Sequence, residues 1–190
     1  MTDAAVRAVQ VKAVPVNGLF EYVEKELAPW QLREVLDQMS EEAAYFTGHL
    51  LANETVPLNA VNRFTTLAAR AKGEPVKEFA RRAGRYGAER GLKTVYKFIL
   101  MVLSIEYALK KAPFMWSRVY DSGKMTVETT GRKEAVIRVS DFTANEAGCG
   151  RVTGWFEVIG EQAGAKDIRV THTECMKDGA RECVWRSSWP

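Results

Sequence analysis

The sequence predicts an α+β fold. An N-terminal helical layer packs on an antiparallel sheet, and the C-terminal half runs strand, strand, helix, strand, strand. Three observations carry this. Pro29, Pro57 and Pro75 each head a stretch of helical hydrophobic spacing, the position where a missing N–H is tolerated. Beyond residue 121 the spacing changes to period two, in two pairs of short segments. Between those pairs lies one more helical pattern, which completes the order expected of an α+β chain. A length of 190 residues suits one domain with its own core. The expected division is a helical part at about 17–120 and a sheet-containing part at about 121–190, within a single domain 1–190.

The elements follow in order. "VRAVQVKAVPV" alternates Val9, Val11 and Ala13 with Gln10 and Lys12 and reads as a short strand, kept to an edge by Pro15. "NGLFEYVEKEL" has Leu19, Val23 and Leu27 at i, i+4, i+8 and reads as a helix. After Pro29 come Leu32, Val35, Leu36 and Met39, continuing towards Tyr45 and Phe46. After Pro57 come Leu58, Val61, Phe64, Leu67 and Ala68, and after Pro75 come Val76, Phe79, Ala83 and Tyr86. Gly87 and Gly91 mark a soft point, since each glycine costs about 1 kcal/mol in a helix. Residues 92–111 are apolar on nearly every side and read as a central helix buried all round, ending before Pro113. "KMTVETT" and "EAVIRVSDF" form a hairpin around Gly131. "CGRVTGWFEVIGEQAG" is helical, and "KDIRVTHTEC" with "ARECVWRSSW" forms a second hairpin around Asp178-Gly179.

Composition excludes several classes. A net charge of +3 gives no field for nucleic acid, and no nucleic-acid motif is present. The longest apolar run, residues 98–109, is interrupted by Glu106 and is too short to span a bilayer. The acidic residue near the start, Asp3, and the lack of an apolar run there argue against a signal peptide. Three cysteines do not make a disulfide framework, so a reducing cytoplasm is the expected location. No nucleophile elbow, zincin motif or histidine–acid pair is present, so no enzyme is predicted and no catalytic residue is named.

Several residues are candidates for chemistry. A two-residue Asp178-Gly179 turn would separate Cys175 from Cys183, whereas a three-residue loop centred on Gly179 makes them face each other on one side of the sheet. Strand parity then places His172 on the opposite side. That expectation leaves Cys175 and Cys183 as a redox pair or as two buried thiols. Cys149 stands where a helix should begin, a setting that lowers a thiol pKa and makes it the reactive candidate. Cys149, Cys175 and Cys183 with a fourth ligand could alternatively hold zinc. The glycines Gly148, Gly150 and Gly154 miss the dinucleotide spacing and read instead as close helix-to-sheet packing. From Arg70 to Lys97 there are nine basic residues against three glutamates. Lys77, Arg81 and Arg85 share one helix face there, a candidate surface for docking a protein partner.

The stretch from Glu174 to Trp185, with Cys175, Gly179, Cys183 and Trp185, resembles the closing motif of 4-vinyl-reductase-like domains. "NGLFEYVEKEL" is similar to the opening helix of haem-dependent nitric-oxide sensor domains. Both groups share a superfamily with TRAPP vesicle-tethering subunits. The chain also resembles an uncharacterised myxobacterial family of about 190 residues. The resemblance implies a non-enzymatic sensory or ligand-binding domain, with an apolar small molecule between helices and sheet. It would signal through a homodimer or a protein partner. The implied pocket residues are Tyr96, Phe98, Met101, Ile105, Phe114, Trp116 and Trp155. Haem sensors of this superfamily carry a proximal histidine on a long helix and a Tyr-x-Ser-x-Arg clasp. Here Tyr120 and Ser122 are followed by Lys124, and no histidine lies between His49 and His172. Lysine does not replace a bidentate arginine, so haem is not expected. The alternatives are a structural adaptor, or a thiol-redox or zinc switch at the terminal hairpin.

Overall fold

The computed structural model describes residues 8–94 and 104–190. A short strand, β1 (Gln10–Lys12), pairs antiparallel with β2 (Thr55–Pro57). Helix α1 (Ala13–Glu26) starts directly after β1, so Pro15 lies in its first turn rather than in a strand, where its missing N–H costs nothing. Helix α2 (Pro29–Met39) begins on Pro29, and a 3₁₀ helix (Ser40–Phe46) carries Phe46 into the core. There Phe46 stacks on Phe64 at a centroid distance of 4.1 Å. Helix α3 (Leu58–Lys72) follows Pro57 and stops at Gly73, whose φ of 76° is the left-handed conformation glycine adopts freely.

Helix α4 (Val76–Thr94) passes through Gly84, Gly87 and Gly91 without a break. These glycines are packing surfaces. A methyl on Gly84 would run into the backbone carbonyl of Arg151, and one on Gly18 would come within 2.7 Å of the Gly87 Cα. So α4 is clamped between α1 and a later helix, backbone against backbone.

Residues 95–103 lie outside the described residues, and with them Tyr96, Phe98 and Met101. Helix α5 (Ile105–Val119) begins on Ser104, whose hydroxyl accepts the Tyr107 N–H, and runs through Pro113. The prediction of an end before Pro113 is corrected. Nor is α5 buried all round: Ile105, Ala108 and Trp116 face inwards, while Tyr107 and Phe114 are exposed. Glu106, Lys110, Lys111 and Arg118 make this helix one-sided.

A four-stranded antiparallel sheet forms the second layer, in the order β3 (Lys124–Gly131), β4 (Glu134–Ser140), β6 (Cys183–Ser188), β5 (Arg169–Glu174). Between its two hairpins runs α6 (Glu146–Gln162), capped by the Asn145 side chain on the Gly148 N–H at 2.7 Å. The α+β architecture is the predicted one. One apolar cluster joins α1 to α4, and a second, around Trp116, Ile137, Val152 and Trp185, joins α5 and α6 to the sheet. Among the described residues no helix is long and apolar enough to cross a membrane.

Candidate metal centre

The β5–β6 connection departs from a regular hairpin. His172 pairs with Trp185, yet Glu174 pairs with Val184, so one extra residue is accommodated between them. Such a bulge breaks the two-residue alternation of side chains. Cys175 then leaves the strand and opens a 3₁₀ turn (Met176–Asp178), closed by Gly179 at φ 91°. Parity had set His172 apart from the cysteines; the bulge and the turn bring it back. That expectation is corrected.

Cys149, the fourth residue of α6, completes the arrangement. The ligand atoms of Cys149, His172, Cys175 and Cys183 all lie within 4.8 Å of one another. The three sulfur–sulfur separations are 3.8, 3.9 and 4.0 Å. A tetrahedral zinc ion with Zn–S bonds of about 2.3 Å sets its sulfurs about 3.8 Å apart. A disulfide needs about 2.05 Å, so these are three free thiols. Cys149 and Cys183 are buried. His172 Nε2 is a buried polar atom without a hydrogen-bond partner, a costly state unless something else binds it. Its ring stacks on Trp185, with centroids 4.5 Å apart. Trp185 Nε1 in turn donates to Thr153 Oγ1 at 2.9 Å, and Thr153 donates to the Cys149 carbonyl at 2.8 Å. These bonds hold the imidazole and the thiols on one rigid wall.

The thiols share protons unequally. The Cys149 thiol supports a Cys183 thiolate against the opposing effect of burial, and Cys183 is pushed down to about 4. The His172 ring and the Met176 N–H, 3.5 Å from the sulfur, add to this. Cys149 is pushed up by that same partnership and by its burial. The prediction that the helix start would make Cys149 the reactive thiol is therefore corrected: thiolate character gathers on Cys183.

The other predicted sites disperse. Phe114 is 54% exposed, with Arg118 stacked over its ring. Ile105 packs with Ala163 and Ala165, Trp116 with Tyr120 and Phe142, and Trp155 with Ala88 and Val158. These are three separate packing contacts. Arg81 and Arg85 turn to α6, where Arg81 Nε meets Glu157 Oε1 at 2.7 Å and Arg85 meets Glu157 at 3.0 Å and Glu161 at 2.8 Å. Their charge is spent inside the chain, which leaves Lys77 alone of the predicted docking face. Gly150 and Gly154 bring α6 onto the α4 backbone, so their close packing is helix to helix rather than helix to sheet.

The Tyr120-x-Ser122-x-Lys124 segment is tied down locally. Tyr120 packs on Trp116 and Phe142, Ser122 donates to the Asp141 carbonyl at 3.0 Å, and Lys124 pairs with Asp141 at 3.6 Å. His49 is held by the Asn17 amide at 3.1 Å.

No family model matches the sequence, and no curated protein matches it. Solved structures do share the fold. An oxygen-binding H-NOX domain related to soluble guanylate cyclases aligns at a TM-score of 0.69 with 12% identity, over 94% of both chains. The H-NOX protein from S. oneidensis, in its Fe(II)NO ligation state, aligns at 0.64 with 15% identity, over 94% of this chain and 99% of that one. A mutant H-NOX protein from K. algicida, in the Fe(II) unliganded form, aligns at 0.71 with 10% identity, over 94% and 96%. Two of these neighbours hold Fe(II), and other H-NOX structures with the same fold are haem proteins, so the expectation that set haem aside is corrected: the fold admits it. His49 is held by Asn17, and the free His172 Nε2 faces the thiol cluster, so among the described residues neither histidine is placed as a haem axial ligand.

Proposed function

We propose that this chain is a sensory domain with the H-NOX fold, whose Cys149, His172, Cys175 and Cys183 hold one zinc ion. The observation that carries the reading is the convergence of four donor atoms at sulfur spacings of 3.8 to 4.0 Å, the edge length of a zinc tetrahedron. Bound there, zinc offers the buried His172 Nε2 a partner and ties β5, β6 and α6 together. Four protein donors fill the coordination shell, which makes the site structural rather than hydrolytic. The same thiolates are oxidisable. A peroxide would join two of the sulfurs as a disulfide, be reduced to two waters with uptake of two protons, and release the ion. The small-molecule part of the reading, haem or another ligand, rests on the solved neighbours and on the fold they share with this chain.

Metal analysis and native mass spectrometry of the purified protein test both halves. One zinc per chain, lost in Cys175→Ser and in Cys183→Ser, is the expected result. Metal-free protein with unchanged stability in those variants would overturn the zinc reading. A visible absorption spectrum of the same sample reads haem directly, and a spectrum without a Soret band after expression with added haem would remove haem from the proposal.

A further inference from the structure

Arg151 is a buried cation that the metal centre does not use. It is 7% exposed and donates to Thr65 Oγ1 at 2.6 Å and to Asn62 Oδ1 at 2.7 Å. Among the described residues no carboxylate pairs with it. Every other arginine at the α4–α6 interface has one: Arg81 and Arg85 share Glu157. A desolvated charge without a counterion is unfavourable unless an anion approaches from outside.

Such an approach is open. A cleft of about 340 Å³ between α3 and the start of α6 is lined by Asn59, Asn62, Arg63, Thr66, Arg70 and Asn145. It adjoins a hollow of about 220 Å³ that shares Thr66, Arg70 and Asn145 and adds Ala147 and Lys177. Asn62 is 3% exposed and forms the wall between Arg151 and the cleft. Its Oδ1 is taken by Arg151, which turns its Nδ2 donor towards the cleft, where it has no partner among the described residues. Arg70 is exposed, and its guanidinium likewise meets no acid there. The 17-residue α6 begins at the same hollow, which Glu146 and Ala147 of its first turn line, and a helix N-terminus favours negative charge. Glu146 is the opposing carboxylate on the rim, and Arg63 is held by Glu42 at 3.2 Å.

We propose that this cleft binds the phosphate group of a small, soluble phosphorylated molecule. Asn62 Nδ2, Arg70 and the α6 N-terminus receive the phosphate. The Asn59 amide, the Nδ2 of Asn145 and the Thr66 hydroxyl oxygen, whose proton goes to the Asn62 carbonyl, receive a polar body such as a sugar. The volume sits at the small end of organic ligand sites. Arg151 acts as a positioning residue, since it orients Asn62 and raises the potential behind it.

The test is titration of the full chain, as purified, with inorganic pyrophosphate and with glucose 6-phosphate, read by calorimetry and by amide shifts in ¹⁵N spectra. The expected result is saturable binding, with shifts at Asn62, Asn145 and Ala147. Arg70→Ala should lose about tenfold in affinity, the worth of one charge-assisted bond, and Lys166→Ala, outside the cleft, should lose nothing. Arg151→Met should weaken binding in the same direction; if it does not fold, Arg70→Ala and Thr66→Val still decide. Equal affinity in Arg70→Ala and wild type, or shifts spread over α4 instead of the cleft, would overturn the proposal. Phosphatidylcholine vesicles containing phosphatidic acid separate the two phosphate sources. Tighter retention on vesicles than on soluble phosphates would overturn the soluble ligand.

Discussion

Two of the polar groupings buried on α6 are built on opposite terms. Along one stretch, Glu157 is 5% exposed and closes on Arg81 and Arg85, with Glu161 completing the network. Every charge there has a partner of opposite sign. At the other end, Cys149 meets Cys175, Cys183 and His172, a set rich in donors for a metal and containing an orphan nitrogen. A network that satisfies itself locks two helices together. A cluster that leaves a buried atom unsatisfied calls for a partner from outside the chain. The contrast separates structural chemistry from a site, although the sequence signal, ionisable residues at helical spacing, is equally plain in the first.

The contrast breaks most readily at the thiols. Cys183→Ser, or extraction of metal by a chelator, should cost on the order of 5 kcal/mol, since a structural zinc contributes its binding energy to folding. A denaturation midpoint unmoved by either would make the cluster ordinary core. Gly154→Ala should cost about 3 kcal/mol, because the added methyl meets the Arg81 carbonyl and backbone cannot yield as a side chain does. Zinc content should stay intact in that variant, and its loss would show the two regions to be coupled. Glu157→Ala should cost about 2 kcal/mol, below the full value for a buried pair because both arginines keep some contact with water. Urea unfolding of the single and double variants with Arg85→Ala would measure the pairwise part.

The smallest effect concerns Tyr120, packed between Trp116 and Phe142 at the foot of α5. Burial raises its phenol above the ordinary value of 10.0. The neutral phenol is the form the fold prefers. Its contribution is therefore complete below about pH 10 and fades as pH rises through the folded value. Urea midpoints followed from neutral pH to about pH 11 should fall less steeply in Tyr120→Phe than in wild type. Equal slopes would mean that the ring is solvated.

Much of the fold was legible in the chain. Pro29, Pro57 and Pro75 marked helix starts because a proline can stand only where the N–H is unneeded, and the two hairpins announced themselves by alternation. Pro113 misled, since α5 runs through it. The strand β2 was missed, because three residues carry too little periodicity to read. At the site, the spacing of Cys175 and Cys183 could be read, but His172 could not. One bulge between His172 and Glu174 reverses the side on which a strand residue projects.

By itself, then, the sequence determined what is local: the α+β class, the helix starts, the turn at Gly179, and two thiols near one another in the chain. Tertiary structure decided the associations. It brought Cys149 across 34 residues to Cys183, moved His172 to their side, and turned Arg81 and Arg85 inwards to Glu157. Periodicity reports which face of an element is apolar, but which element that face meets depends on backbone approach, here set by Gly84, Gly150 and Gly154. The metal centre belongs to the second kind of information, because its donors come from a helix, two strands and the turn between them, and only packing brings the helix to the rest.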